Sequence, residues 1–258
     1  MLNNDLSVVI ICYDPYQDAI ELNPYFFNKN WNPCTANVYY VTSKVDVKTQ
    51  YNIIKTNGDL SYYKRLDEAL NCIKTKYVML LLDDYLVHNK IDEKQIEDNI
   101  LFMKENNIDY CELFTMFSIP KGKKINFKGN KYICISIKRK YRITLQPAIF
   151  KKSLLEEMNK YEPFGAWEAE LIFTRDDFKK YNAYYALNKS FSVINYIDKG
   201  LVTRKAYHIL KKEGLWANHR KVVSFPKAIK RAIIRKIYMY VPLKIKNKLK
   251  KNSVIYKG

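Results

Sequence analysis

The stretch YVMLLLDDYLV, Tyr77 to Val87, decides the reading of the fold. An apolar run with no alternating polar side chains is what a strand buried on both faces of a parallel sheet requires. The run ends in two adjacent carboxylates, Asp83 and Asp84. In open α/β sheets the carboxyl ends of the strands border the ligand crevice. The pair is therefore either a solvated strand end that caps the next helix, or a set of hard oxygen ligands for Mg²⁺ or Mn²⁺ acting together with substrate phosphates.

Working outward from this strand, LSVVIICYD (Leu6 to Asp14) is a second β-branched run ending in a carboxylate, and ANVYYVTSKV (Ala36 to Val45) and YNIIKTN (Tyr51 to Asn57) predict two more strands. Between the first two, YQDAIELNPYFFNKNW predicts a helix interrupted at Pro24. In LSYYKRLDEALNCIKT, Leu66, Ala69, Leu70 and Ile73 recur at helical spacing, with Ser61 as a candidate N-cap. This alternation predicts an α/β fold, a mostly parallel sheet flanked by helices, with Asp14 and the Asp83/Asp84 pair on one crevice.

Further along, IDEKQIEDNILFMKENN predicts an amphipathic helix and DYCELFTMF, Asp109 to Phe117, a strand. PKGKKINFKGNK, Pro120 to Lys131, has the composition of a basic loop. KYICISI and YRITLQPAIF predict strands, KKSLLEEMNKY a helix, and EPFGAWEAELIFTRDDFKKY a turn into a helix. No boundary is visible before about residue 215. The expected organisation is a domain over 1–215, divided into 1–118 and 119–215, followed by a tail over 216–258.

With 48% hydrophobic residues among 258, the chain has enough apolar surface for a core, which excludes disorder as its dominant state. A formal charge of +19 calls for an anionic partner: nucleic acid, phospholipid headgroups or a phosphorylated substrate. Five cysteines at wide, irregular spacings fit neither a zinc pattern nor a disulfide framework, and predict reduced core residues in a cytosolic setting. The first residues do not predict a signal peptide, and no run approaches the roughly 20 apolar residues that span a bilayer.

The order of these features resembles the nucleotide-sugar-binding half of GT-A glycosyltransferases, in particular family 2-like enzymes of bacterial surface polysaccharide (capsule and lipopolysaccharide) synthesis. The residues that carry the resemblance are a first strand ending in Tyr13-Asp14, a helix bearing Arg65 and the strand YVMLLLDDY. It implies that Tyr13 and Asp14 hold the base of a UDP-sugar or similar donor, that Asp83 meets the ribose and that Asp84 binds Mn²⁺ or Mg²⁺. Arg65 would face the nucleotide. AIFKKSLLEEMNKYEPFGAWEAEL is similar to the sequence leading into the family's Glu-Asp-x-Asp-Leu signature, which falls on Trp167-Glu168-Ala169-Glu170-Leu171.

That alignment puts Glu168 at the position of the catalytic base, with Glu170 as the alternative. A sugar hydroxyl is a weak nucleophile, so a carboxylate within hydrogen-bond reach must take its proton during attack, which favours an inverting displacement. The plainer reading of both glutamates is that first-turn acids complement a helix dipole. Trp167 is a candidate for stacking on an acceptor sugar. His208 is a candidate metal ligand by the same resemblance, against the plainer reading of a surface helix histidine. The absence of QxxRW and of membrane spans speaks against a processive polymer synthase.

From Gly214 onward the sequence holds no Asp or Glu, while Lys and Arg crowd it. FPKAIKRAIIRKIYMYVPLKIKNKLKK places Ile229, Ala232, Ile233, Ile237, Tyr240 and Val241 on one helical face, with Pro242 ending or kinking the helix. This is the pattern of an interfacial helix on an anionic membrane surface over 226–251, and it predicts a peripheral location on the cytoplasmic face of the membrane, facing a lipid-linked or glycan acceptor. The alternative is a non-catalytic basic module that binds nucleic acid or an acidic polymer. No nucleic-acid-binding motif accompanies the tail, so no nucleic acid is expected.

Overall fold

The computed structural model describes residues 2–116, 118–217 and 220–240, and the side chains of Ala232 and of residues 235–240 lie outside that description. Phe117 and the part of the basic tail over 241–251, Pro242 included, also lie outside it; the strand expected over Asp109–Phe117 is confined to Tyr110–Glu112. The chain divides between Asn195 and Tyr196 into two compact units.

In the first unit the chain runs β1 (Leu6–Ile11), α1 (Gln17–Asn30), β2 (Asn37–Thr42), β3 (Asn52–Lys55), α2 (Tyr62–Cys72), β4 (Tyr77–Leu82) and β5 (Tyr85–Val87). It continues through α3 (Glu93–Glu105), β6 (Tyr110–Glu112), β7 (Lys124–Phe127), β8 (Asn130–Cys134) and β9 (Ala148–Lys151). Two helices, α4 (Lys152–Asn159) and α5 (Ala166–Ile172), lead to β10 (Ala183–Ala186) and β11 (Val193–Asn195). Nine strands form one sheet in the order β3-β2-β1-β4-β9-β6-β10-β8-β7. The strands β3, β2, β1 and β4 are mutually parallel, β9 runs antiparallel between β4 and β6, and β10 lies parallel to β6. The second unit holds β12 (Ile197–Asp198), β13 (Leu201–Val202), α6 (Arg204–Lys212) and α7 (Phe225–Tyr240).

The apolar runs behave as a two-faced strand demands. On β1, Val8 and Ile10 enter one core layer with Ile20 and Phe27 of α1 and Ile96, Ile100 and Phe102 of α3. Val9 and Ile11 enter the other layer with Leu66, Ala69 and Leu70 of α2 and Leu154, Leu155 and Met158 of α4. Met79 and Leu81 of β4 follow the first set, Val78 and Leu80 the second. Each such side chain, fully buried, contributes about 1.5–3 kcal/mol, so the sheet is held from both sides.

Four sequence readings are corrected. The helix before β2 is not interrupted: α1 passes through Pro24, which is buried on the face that also carries Phe26 and Phe27. The basic segment 120–131 is a β7–β8 hairpin, closed by Lys128 and Gly129 with φ of 46° and 80°. Two left-handed residues in succession match the twist of the flanking strands, which is why glycine stands there. The strand expected over YRITLQPAIF is confined to Ala148–Lys151: Pro147 has no amide to give to a ladder, and Thr144 and Gln146 are occupied by the Tyr110 hydroxyl and the Met116 amide. The cysteines are not all core residues: Cys12 and Cys111 are buried, Cys34 and Cys134 half-buried, and Cys72 exposed.

One buried side chain fixes the turn after β4. Asn23 of α1 donates to the carbonyls of Asp83 at 3.0 Å and Tyr85 at 3.3 Å, and accepts from the Tyr40 hydroxyl at 3.0 Å. Stranding these buried partners carries their desolvation cost, so Asn23→Ala is expected to lower the unfolding free energy by about 3 kcal/mol and Tyr40→Phe by about 1 kcal/mol. Urea denaturation of the two variants checks the difference.

Candidate active site

The site is built at the carboxyl edge of β1, β4 and β6. The β1–β4 ladder extends one rung beyond β4, where the Asp83 amide donates to the carbonyl of Ile11, the last residue of β1, at 3.2 Å. The Asp83 side chain turns back, and its Oδ2 accepts the Tyr13 amide at 2.9 Å. Asp83 is buried and Asp84 half-buried beside it. Burial, reinforced by the charge of Asp84, pushes the Asp83 carboxyl well above its usual range, while the Tyr13 amide and the Arg65 guanidinium pull the other way.

Arg65 reaches this edge from α2. It is almost fully buried, donates to the Cys12 carbonyl at 2.7 Å and lies 5.6 Å from the centroid of the Tyr13 ring. Tyr13 is 40% exposed, and its ring, beside this cation, also meets the Tyr16 ring edge-on at 5.2 Å. Asp14 has a different occupation: its two oxygens accept the amides of Ser43, Lys44 and Val45 at 2.8, 2.6 and 3.0 Å. That carboxylate fastens the loop after β2 to the end of β1.

The two glutamates of α5 separate. Ala166, Ala169 and Phe173 pack inward at helical spacing, and Glu170 shares their stripe. Glu170 accepts the Leu145 amide at 2.9 Å, and burial raises its carboxyl. Its charge is felt by Tyr62, Tyr85 and Glu112, and Asp84 also acts on Tyr85, so these groups form one electrostatic neighbourhood. Glu168 is on the exposed side, where its Oε2 accepts the Phe164 amide at 2.7 Å. Trp167, 70% exposed, and Phe164, 68% exposed, lie on the outer face beside it. His208 belongs to the second unit, exposed on α6 with its ring 5.3 Å from that of Tyr207.

The sequence reading passed over Glu112 and Arg139. Glu112, the last residue of β6, is 1% exposed and stands 3.7 Å from Arg139 Nη1, and its Oε1 has no hydrogen-bond partner. The sequence carries one signal for it, an acid at the end of a short strand followed by apolar residues, as in LLDDY. The Tyr62 hydroxyl is likewise buried without a hydrogen-bond partner.

Among the described residues no group of three or more His, Cys, Asp or Glu is placed to hold a metal ion. Asp83 and Asp84 offer two adjacent carboxylates. Such a pair fits Mg²⁺ or Mn²⁺ when the oxygens of a bound diphosphate complete the shell, because these ions commonly take only one or two protein carboxylates beside phosphate.

Neither a protein-family model nor a curated protein matches the chain. Among solved structures, S. aureus TarS 1–349 superposes with a TM-score of 0.50 at 16% identity, over 72% of this chain and 59% of that one. The same protein in complex with UDP gives a TM-score of 0.50 at 13% identity, with the same coverage. The chain thus spans somewhat over half of those TarS structures. A cytidylyltransferase from Leptospira borgpetersenii gives 0.48 at 15% identity, over 98% and 99% of the two chains. The likeness shows the fold alone: an α/β fold with a large, mostly parallel mixed sheet flanked by helices, as in these GT-A-like neighbours.

Glu112 supplies a pH test. Burial, partly offset by Arg139, pushes its carboxyl from 4.5 up to about 7. Between those values the unfolded chain releases a proton that the folded chain keeps, so this group's contribution to stability is full at the acid end and is lost as pH rises through about 7. The loss amounts to roughly 3 kcal/mol. Glu112→Gln is expected to flatten that part of the slope, read as the difference between wild-type and variant urea midpoints from pH 4 to 8.

Proposed function

We propose that the chain is a nucleotide-sugar-dependent glycosyltransferase that moves a sugar, by a single inverting displacement, to a hydroxyl of a glycan or lipid-linked acceptor. The observation that carries this reading is the convergence of Tyr13, Arg65, Asp83 and Asp84 on one edge of a GT-A-like sheet, with Glu170 in the same electrostatic neighbourhood. The UDP complex of TarS supports a uridine nucleotide as the first donor to test.

On the donor side the exposed part of the Tyr13 ring, beside Arg65, offers a platform for the base. Asp14 shapes that platform by fixing the loop after β2, since three backbone amides already occupy its carboxylate. Asp83 holds the Tyr13 backbone, and we assign it to the ribose side of the donor. Asp84 and Asp83 would hold Mn²⁺ or Mg²⁺; when bound, the ion neutralises charge on the leaving diphosphate.

On the acceptor side we assign the base to Glu170 in preference to Glu168. A carboxylate whose proton affinity is raised by burial is better matched to taking a proton near neutral pH than one in water. Glu168 serves the loop instead, by accepting the Phe164 amide. The outward Trp167 and Phe164 offer apolar faces of the kind that sugar rings stack against.

Thermal shift with UDP, with and without Mn²⁺ or Mg²⁺, is the direct test. UDP with metal at about 100 times its dissociation constant is expected to stabilise the fold by about 2.7 kcal/mol, and Asp84→Asn to remove the metal-dependent part. Glu170→Gln is expected to keep the UDP shift and lose transfer by a factor of about 10²–10⁴, measured as UDP release from a UDP-sugar in the presence of acceptor. No nucleotide shift, or full transfer in both variants, overturns the proposal.

A further inference from the structure

The helix α7 is turned the opposite way from an ordinary amphipathic helix of a water-soluble protein. Arg231 is half-buried and held inward: its Nη1 donates to the Asp198 carboxylate at 2.8 Å and to the Asp198 carbonyl at 3.1 Å. Ala228 sits on the same side, its amide closing the first turn onto the Ser224 carbonyl. The bulky apolar residues face out, with Phe225 60%, Ile229 44%, Ile233 51% and Ile234 51% exposed. Together with Pro226 and Lys230 they line a shallow open groove of about 520 Å³. A soluble helix gains stability by the reverse arrangement, charge outward and isoleucine inward.

The charge around that face selects its partner. Lys227 and Lys230 are exposed beside the isoleucines, and no acidic residue occurs anywhere from Gly214 to Gly258. A second copy packed on this face about a twofold axis would bring lysine toward lysine with no carboxylate from the segment to offset it. Nucleic acid would satisfy the lysines but leave the isoleucines in water. An anionic lipid surface satisfies both, apolar side chains at the acyl boundary and ammonium groups at the headgroup phosphates.

We propose that α7 seats this chain on an anionic lipid surface, with Phe225, Ile229, Ile233 and Ile234 entering the acyl boundary and Lys227 and Lys230 contacting phosphate. The proposal stands apart from sugar transfer and uses no residue of the candidate active site.

The test is co-sedimentation of the full chain with phosphatidylcholine vesicles, with and without phosphatidylglycerol and without nucleotide. Binding is expected only with phosphatidylglycerol, falling as salt is raised. Lys227→Ala with Lys230→Ala is expected to weaken partition roughly 25-fold, from about fivefold for each basic residue near the surface. Ile229→Glu with Ile233→Glu is expected to abolish sedimentation while leaving the thermal midpoint and any UDP shift unchanged, since both positions face solvent. Equal binding to neutral vesicles overturns the proposal, as does binding unaffected by the isoleucine substitutions. Dimerisation through this face without vesicle binding, or capture of single-stranded RNA with none of vesicles, overturns it as well.

Discussion

One hydrogen bond, from the Tyr13 amide to the buried Asp83 carboxylate, closes the edge on which the candidate site is built. Where two parallel strands stop side by side, their last amides and carbonyls need partners, and in the middle of a layered sheet water cannot supply them freely. Here the chain supplies them itself. Asp83 takes the amide beyond β1, Ile11 takes the amide beyond β4, and Arg65 takes the Cys12 carbonyl. The cost is a carboxylate held in a poorly solvated place beside another acid, which is tolerable because Arg65 and the backbone dipoles face it.

The same logic joins the two sides of the crevice. Ser61 occupies the N-cap position of α2 but makes no side-chain cap; the amides of Tyr62 and Tyr63 donate instead to the carbonyls of Phe164 and Pro163, at 2.7 and 2.9 Å. Glu168 then holds the Phe164 amide. The helix carrying Arg65 therefore starts on the loop that leads into the helix carrying Glu170. These two elements are registered by backbone contacts, which no side-chain motif in the sequence encodes.

Much of the parallel half was legible because a strand buried on both faces has nowhere to put polar residues, and VVII and VMLLL say so directly. The second half was harder. Ile143 and Leu145 are buried in irregular backbone, so their hydrophobicity carried no information about secondary structure. The positive-φ pair Lys128-Gly129 was a turn signal hidden in a run of lysines. Of the two glutamates two positions apart on α5, helix phase set by Ala166, Ala169 and Phe173 points only Glu170 inward. That phase was readable, whereas the alignment by resemblance favoured its neighbour. Glu112 escaped because its environment is made by Arg139 and Glu170, residues distant in sequence.

The sheet finishes at both sides on four-residue strands, β3 and β7. An unpaired strand edge is a template for another chain, and long, flat, apolar edges are where native proteins aggregate. These edges are short and marked by charge, with Lys55 paired to Asp46 on one and Lys124 exposed on the other. Growth of the sheet from one molecule into the next is thereby discouraged at both ends. A chain this rich in β-branched and aromatic residues can thus be crowded without its strands becoming the points at which molecules adhere.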